Sequence, residues 1–303
     1  MHLRKRNFVA RQTSKKAIVV VAGVKFTKAK RRFDHHKDVR YFELRDGIYK
    51  MNAAAGSVLK LHDEYEIIGQ GASPDEADRL EQLGLLDKGR YCAVNLLDKE
   101  EVKNFVAVIG ALKEQTGLPV HLVHYGSASE VQTTLPKGSL RHSVWEAPGE
   151  AVSDLVLANC ATLLNILQEM KRQNIFEGQE VSKVISLSAV AAVRPLAKLS
   201  LDSIQKAAGH SLMRTLALEL TREKIFVTEI MAGSTDGGYY DNDATFEISL
   251  EHSKDIGYAY APKDKPVFTA DQIGDAVRYV VDARCNVREV VLIPYGQYPH
   301  LGA

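Results

Sequence analysis

Residues 182–236 read SKVISLSAVAAVRPLAKLSLDSIQKAAGHSLMRTLALELTREKIFVTEIMAGSTD. The apolar run Val181–Leu187 predicts a buried strand, and Ile225–Ile230 predicts another. Between them, residues 203–222 carry the Ala- and Leu-rich pattern of a long helix. After the second strand, Ala232-Gly233-Ser234-Thr235 predicts a turn. Strand, long helix, strand is the unit that joins two parallel neighbours in one sheet.

The same rhythm extends outward in both directions. Upstream, Ala17–Gly23 predicts a first buried strand, Tyr65–Gly69 a second, Tyr91–Leu96 a third and Val120–His124 a fourth. Helices are expected at Ser57–His62, at Ser73–Leu86 with Ser73 as cap, at Asp98–Thr116 with Asp98 as cap, and at Glu150–Asn174. Downstream, Asp271–Asp282 predicts a helix and Glu289–Pro294 a last strand. Alternation of this kind implies one α/β domain built on a doubly wound parallel sheet.

One place breaks the rhythm. A dinucleotide fold follows its first strand with a Gly-rich turn that opens a helix, so that pyrophosphate meets the helix N-terminus. Here Gly23 is followed by a polar, basic stretch, and small residues return only at Asn52–Gly56. Residues 24–51 are therefore expected to be an insertion with structure or function of its own.

The centre of the opening stretch, Lys206-Ala207-Ala208-Gly209 leading to Leu216-Ala217-Leu218-Glu219-Leu220, resembles the active-site helix of the short-chain dehydrogenase/reductase family. Ala158-Asn159 in the long helix and the ending Val291–Gly296 resemble the same family, over about three-quarters of the chain. The resemblance implies a Rossmann-like sheet, an NAD(P) cofactor and a homodimer through helices 150–174 and 203–222. It implies that Lys206 binds the nicotinamide ribose and that Asn159 holds a water of a proton relay. It places Gly23, Gly56, Gln70, Gly126, Ser127, Lys206 and Thr235 at cofactor-binding positions.

The family's catalytic Tyr and Ser fall on Asp202 and Ala189. Carbonyl reduction needs a proton donor within hydrogen-bond reach of the oxygen. A carboxyl ionises near pH 4, so an Asp in the acid's position is a poor donor at neutral pH. Ser188, one residue from the Ser position, and Tyr125, near the nicotinamide position, are the remaining hydroxyl candidates. Asp202 and Lys206 have the i,i+4 spacing of a structural ion pair. Two readings follow: a non-reducing pseudo-reductase serving as ligand-binding or partner subunit, or an atypical reductase acting on a carrier- or coenzyme-A-bound carbonyl.

Composition narrows the setting. The chain has 303 residues, 39 Lys and Arg, 38 Asp and Glu, and a net charge of +1. Residues 1–40 hold thirteen Lys or Arg against two Asp, a local charge of +11 that leaves −10 on the rest. A basic arm at 1–16 suits an anionic partner such as an acidic carrier protein, or folds back onto the acidic body. Nucleic acid is the weaker expectation, because the arm lacks aromatic interleaving. Three scattered Cys and no secretory signal suggest a reducing, cytoplasmic setting, and no membrane-length run stands out. The pair His35-His36 beside Asp34 and Asp38 reads as a surface patch, so no metal is expected. His121 and His124 fall on opposite strand faces, which argues against a shared site. Tyr239, Tyr240, Tyr258 and Tyr260 fall in a segment, 236–268, expected to form a lid over substrate.

Overall fold

A computed structural model describes residues 15–29, 41–126, 145, 149–195, 199–236, 247, 250–251, 254 and 266–294. The strands are β1 (Ile18–Ala22), β2 (Phe26–Lys28), β3 (Phe42–Leu44), β4 (Gly47–Met51), β5 (Glu66–Gly71), β6 (Tyr91–Ala93), β7 (Val120–His124), β8 (Ser182–Ala189), β9 (Ile225–Ala232) and β10 (Glu289–Leu292). Seven of them form one parallel sheet in the order β10-β9-β8-β7-β1-β5-β6. The chain builds outward from β1 through β5 and β6, then returns to lay β7 on the other side of β1. The switch point lies between β1 and β7, and ligands of open α/β sheets bind outside the carboxyl ends there.

Every residue of β1 is buried, and the strand divides its side chains between two helical layers. Val19 and Val21 pack with α1 (Ala53–Leu61) and α7 (Ala270–Asp282). Ile18, Val20 and Ala22 pack with α3 (Lys99–Thr116), α5 (Thr162–Arg172) and α6 (Ser200–Leu220). The expected helix 150–174 is α4 (Ala151–Val156) and α5 joined by a π-helical turn, Leu157–Ala161, that contains Asn159. Among the described residues, Ala151–Arg172 is the one helix long and apolar enough to cross a membrane. Its Leu155, Leu163, Ile166 and Met170 are buried within the fold.

Several expected boundaries move, each for a visible reason. α2 spans Asp75–Gln82 and stops short of Leu86, because Gly84 turns left-handed (φ 66°) and Leu85 N–H closes back on Leu80 O. Ser73 lies two residues ahead of it and accepts from Asp75 N at 3.3 Å. α6 begins at Ser200, three residues early, which brings Asp202 into its first turn. β6 is limited to Tyr91–Ala93, half its expected length. Asn52–Gly56 is no Gly-rich turn: Asn52 caps α1 by accepting from Ala55 N at 2.9 Å, and Gly56 lies inside the helix.

The missing Cβ of Gly56 lets α1 and α7 touch through their backbones. A Cβ there would lie 2.2 Å from Ala270 O, and one on Gly274 2.4 Å from Gly56 O. Gly56→Ala is expected to destabilise the protein by about 1–3 kcal/mol through overpacking, measured by urea denaturation. An unchanged midpoint would show that the two helices separate freely.

Between β1 and α1, residues 24–51 carry a small antiparallel sheet of their own in the order β2-β4-β3. Val24, Phe26, Tyr49 and Met51 are buried and continuous with the core beneath α1 and α7. Phe26 and Phe42 meet edge to face at 6.4 Å.

Candidate functional site

The site lies at the carboxyl ends of β1, β7, β8 and β9. Gly23 leaves β1 with φ 89°, and a Cβ there would stand 2.3 Å from Tyr125 O. Only glycine allows this approach, so β1 and β7 close on each other at the switch point. Tyr125 N–H donates to Ala22 O at 3.0 Å, which ties the two strand ends together.

Gln70 on β5 is fully buried, and both ends of its amide are engaged. Its Oε1 accepts from Gly23 N at 3.0 Å and its Nε2 donates to Val94 O at 2.7 Å. These bonds brace β1 against the strand after β5, so this side chain is not free to hold a ribose. Gly56, inside α1 against α7, is likewise occupied by packing. Thr235 Oγ1 donates to its own neighbour Gly233 O at 3.1 Å. Ser127 and the Tyr residues of the expected lid lie outside the described residues, as do His35 and His36.

Around Lys206 the geometry is coherent. Its ammonium, 5.8 Å from the Tyr125 ring centre, donates to Gly126 O and Asn159 Oδ1, both at 3.3 Å. Asn159 Nδ2 donates to Leu155 O and to Gln205 Oε1, and Gln205 Nε2 donates to Asp202 Oδ1 at 2.8 Å. Gly126 makes room for this cluster: a Cβ would meet Asn159 Oδ1 at 2.7 Å. The expected Asp202–Lys206 ion pair is not made, because Gln205 at i+3 takes the carboxylate while Lys206 reaches across to the π turn. Burial holds Lys206 below the usual lysine range, opposed by the charges of Asp202 and Glu229 and by Cys160.

Burial, and then the Asp202 charge, push the Tyr125 phenol above its ordinary value. Ser188 is half-buried near the end of β8, in register with Met231. Lys206, Asn159, Asp202 and Tyr125 are thus drawn into one cluster; Gln70 and Gly56 serve the frame.

Beneath the cluster lies His124. Thr162 Oγ1 donates its single proton to Ala158 O at 2.6 Å, so it accepts from His124 Nε2 at 3.0 Å. The ring therefore carries its hydrogen on Nε2, and buried Nδ1 has no partner. Burial, and then the Lys206 charge, lower its pKa to about 3. His121 at the other end of β7 accepts on Nδ1 from Lys183 N at 3.2 Å, and burial lowers it to about 4. Among the described residues no three His, Cys, Asp or Glu side chains cluster as metal ligands would.

Two buried groups had no sequence signal of function. Lys50 on β4 is 1% exposed and pairs with Asp236, 7% exposed, through Oδ1 at 3.0 Å and Oδ2 at 3.2 Å. Glu76 on α2 is 4% exposed, accepts from Phe26 N at 3.1 Å and pairs with Arg79 at 3.2 Å. Structure of its own is expected for residues 24–51, but Lys50 lies between the buried Tyr49 and Met51 in a polar, basic stretch, and its burial depends on Asp236 far along the chain. A third pair, His210 Nδ1 and Glu229 Oε2 at 2.5 Å, lies one helical turn from Lys206.

The family model described as Enoyl-(Acyl carrier protein) reductase matches residues 62–284. No curated protein matches the sequence. Among solved structures, the NADPH-bound short chain oxidoreductase of Pseudomonas aeruginosa PAO1, described as containing an atypical catalytic center, aligns with a TM-score of 0.66 at 13% identity. That alignment covers 95% of this chain and 98% of that one. The NADH-dependent enoyl-[acyl-carrier-protein] reductase of Aquifex aeolicus VF5 aligns at 0.65 and 19% identity, covering 96% and 99%. A short chain dehydrogenase of Burkholderia cenocepacia J2315 in complex with NADP aligns at 0.61 and 17%, covering 94% and 98%. At such identities the likeness concerns the fold, and the family match supplies the rest. With most of its length matched and its seven-stranded parallel sheet in place, this chain belongs to the short-chain dehydrogenase/reductase family, as a divergent member.

Proposed function

We propose that this chain is a non-reducing member of its family, a pseudo-reductase that serves as a ligand-binding or partner subunit. The observation that carries the reading is the state of the acid's position. Asp202 stands there, its carboxylate held by Gln205, and the phenol beside Lys206, that of Tyr125, is shifted away from neutrality. A general acid works best with a pKa near the operating pH, and a phenol beside a lysine is useful only when the ammonium pulls it down. Here burial, and then the Asp202 charge, raise it instead. The test is turnover: NADH and NADPH oxidation followed by absorbance with an enoyl thioester of an acyl carrier protein or of coenzyme A. No oxidation above the enzyme-free rate is expected, and steady turnover would overturn the reading.

As a partner subunit the chain would form a homodimer through α4–α5 and α6, in a cytoplasmic setting. Leu157 (48% exposed), Ile204 (43%) and Leu218 (73%) lie on those helices and support that surface. The basic arm would then meet an acidic carrier protein. Its last residues are fixed at the amino end of the sheet, where Lys15 Nζ donates to His62 O at 2.7 Å and Lys16 pairs with Glu64 and Asp282.

The second reading, an atypical reductase of a carrier- or coenzyme-A-bound carbonyl, is favoured by one observation. Lys206 reaches both Asn159 and Gly126 O, and the structurally similar Pseudomonas protein is an NADPH-bound oxidoreductase described as containing an atypical catalytic center. In that reading Lys206→Ala abolishes turnover.

A further inference from the structure

We infer that the described parts of the insertion, residues 24–29 and 41–51, occupy in cis the crevice where a dinucleotide would lie. This deepens the non-reducing reading and rests on it only for the chemistry, not for the fit. The residues at the switch point do not fit an NAD(P) molecule. The argument starts at the stem of the insertion. Asn52 Nδ2 donates to Gly23 O at 2.7 Å, and Asn52 N donates to Lys25 O at 3.1 Å. Asn52 Oδ1 accepts from Ala55 N at 2.9 Å. It therefore fills, from within the chain, an anion-accepting position at the amino end of α1.

From this stem the insertion reaches both ways along the carboxyl edge of the sheet. On one side Phe26 N is held by buried Glu76 at 3.1 Å, beside the start of α2, where the helix after β5 would face an adenosine ribose. Arg79 of α2 lies 4.4 Å from the Tyr49 ring centre and 3.4 Å from Asp46 Oδ2, fixing the outer edge of the small sheet. On the other side Lys50 reaches Asp236, four residues beyond the end of β9. Asp236 is itself held, its N–H donating to Phe268 O at 2.8 Å.

β5 and β9 are four strand steps apart in the sheet, roughly 19 Å at about 4.8 Å per step. One covalent segment thus spans the edge on both sides of the switch point, with its contacts at each end buried. At the adenosine end the Glu76 carboxylate is taken up by Phe26 N and Arg79, so it is not free to hold a ribose. The beginning of the crevice is closed in the same way, since Gln70 and Gly23 bond to each other.

The experiment compares three proteins by isothermal titration with NADPH and with NADH: the wild type, Lys50→Ala/Asp236→Ala, and a variant with residues 26–50 replaced by a short Gly-Ser turn. The double variant removes both members of this buried pair. Wild type is expected to give no saturable binding at millimolar nucleotide. The double variant, the excised variant or both are expected to bind at least tenfold more tightly than wild type. Micromolar binding by wild type would overturn the inference. So would a folded double variant no tighter than wild type, whether or not the excised variant folds, unless a folded excised variant binds. Binding and turnover separate the two ideas: wild type that binds nucleotide without oxidising it sinks the occupied crevice and leaves the non-reducing reading standing. Turnover in an opened variant that wild type lacks does the reverse, keeping the crevice inference and sinking the missing-acid argument.

Discussion

Lys50→Ala is expected to lower the free energy of unfolding by about 3–5 kcal/mol, the scale of an uncompensated buried charge. Both partners of the Lys50–Asp236 pair are below a tenth exposed, so truncating the lysine leaves a carboxylate without counter-charge or solvent. Two charges drawn from water repay only part of their desolvation by attracting each other, so the pair itself adds little net stability. Lys50→Met/Asp236→Leu should therefore recover most of what the single substitution loses. Urea denaturation of wild type, Lys50→Ala and Lys50→Met/Asp236→Leu measures both numbers. A loss below about 1 kcal/mol for Lys50→Ala would mean that water reaches Asp236, contrary to its burial.

Acid is expected to unfold this protein early. His121 and His124 are held neutral in the fold, near pKa 4 and 3, whereas an unfolded histidine takes its proton near 6.5. Both folded values are depressed, so their contribution is complete above pH 6.5 and is lost as pH falls toward 4 and then 3. Between those limits the unfolded chain binds two more protons, and falling from pH 7 to pH 5 should cost about 3–4 kcal/mol. Isosteres separate the two rings. His121→Asn keeps an acceptor for Lys183 N, and His124→Gln keeps a donor for Thr162, while neither titrates. Each should flatten the pH slope by about half, read from denaturation midpoints at pH 7, 6 and 5. An unchanged slope in both variants would place the acid sensitivity elsewhere.

The parallel sheet was legible because its signal is local. A β-branched run such as Ile18–Ala22 can be buried on both faces only between helical layers. The cap at Asp98 could be read for the same reason, since its side chain accepts from Glu100 N and Glu101 N two and three residues on. Asn52 carries the same local signal, an amide side chain ahead of three alanines that accepts from Ala55 N. What stayed hidden depends on partners far away in sequence. Lys50 and Asp236 are 186 residues apart, and Gln70 becomes a brace only when Gly23 and Val94 arrive beside it. The Asp202–Lys206 spacing misled for a related reason: i,i+4 geometry permits an ion pair, yet tertiary partners of Lys206 on β7 and the π turn compete for it.

The bridged stem of the insertion has a consequence for how this chain can vary. Because Lys25 and Asn52 meet through one backbone hydrogen bond, entry and exit are adjacent, and the sheet below is indifferent to how much polypeptide lies between them. Loop-closure cost grows only with the logarithm of length, so closure itself sets little limit on the segment; what constrains it is the burial of Phe26, Tyr49 and Met51 and the Lys50–Asp236 pair. That junction is therefore a grafting point only for a hairpin that closes on the same two residues, refills those core positions and supplies a counter-charge for Asp236.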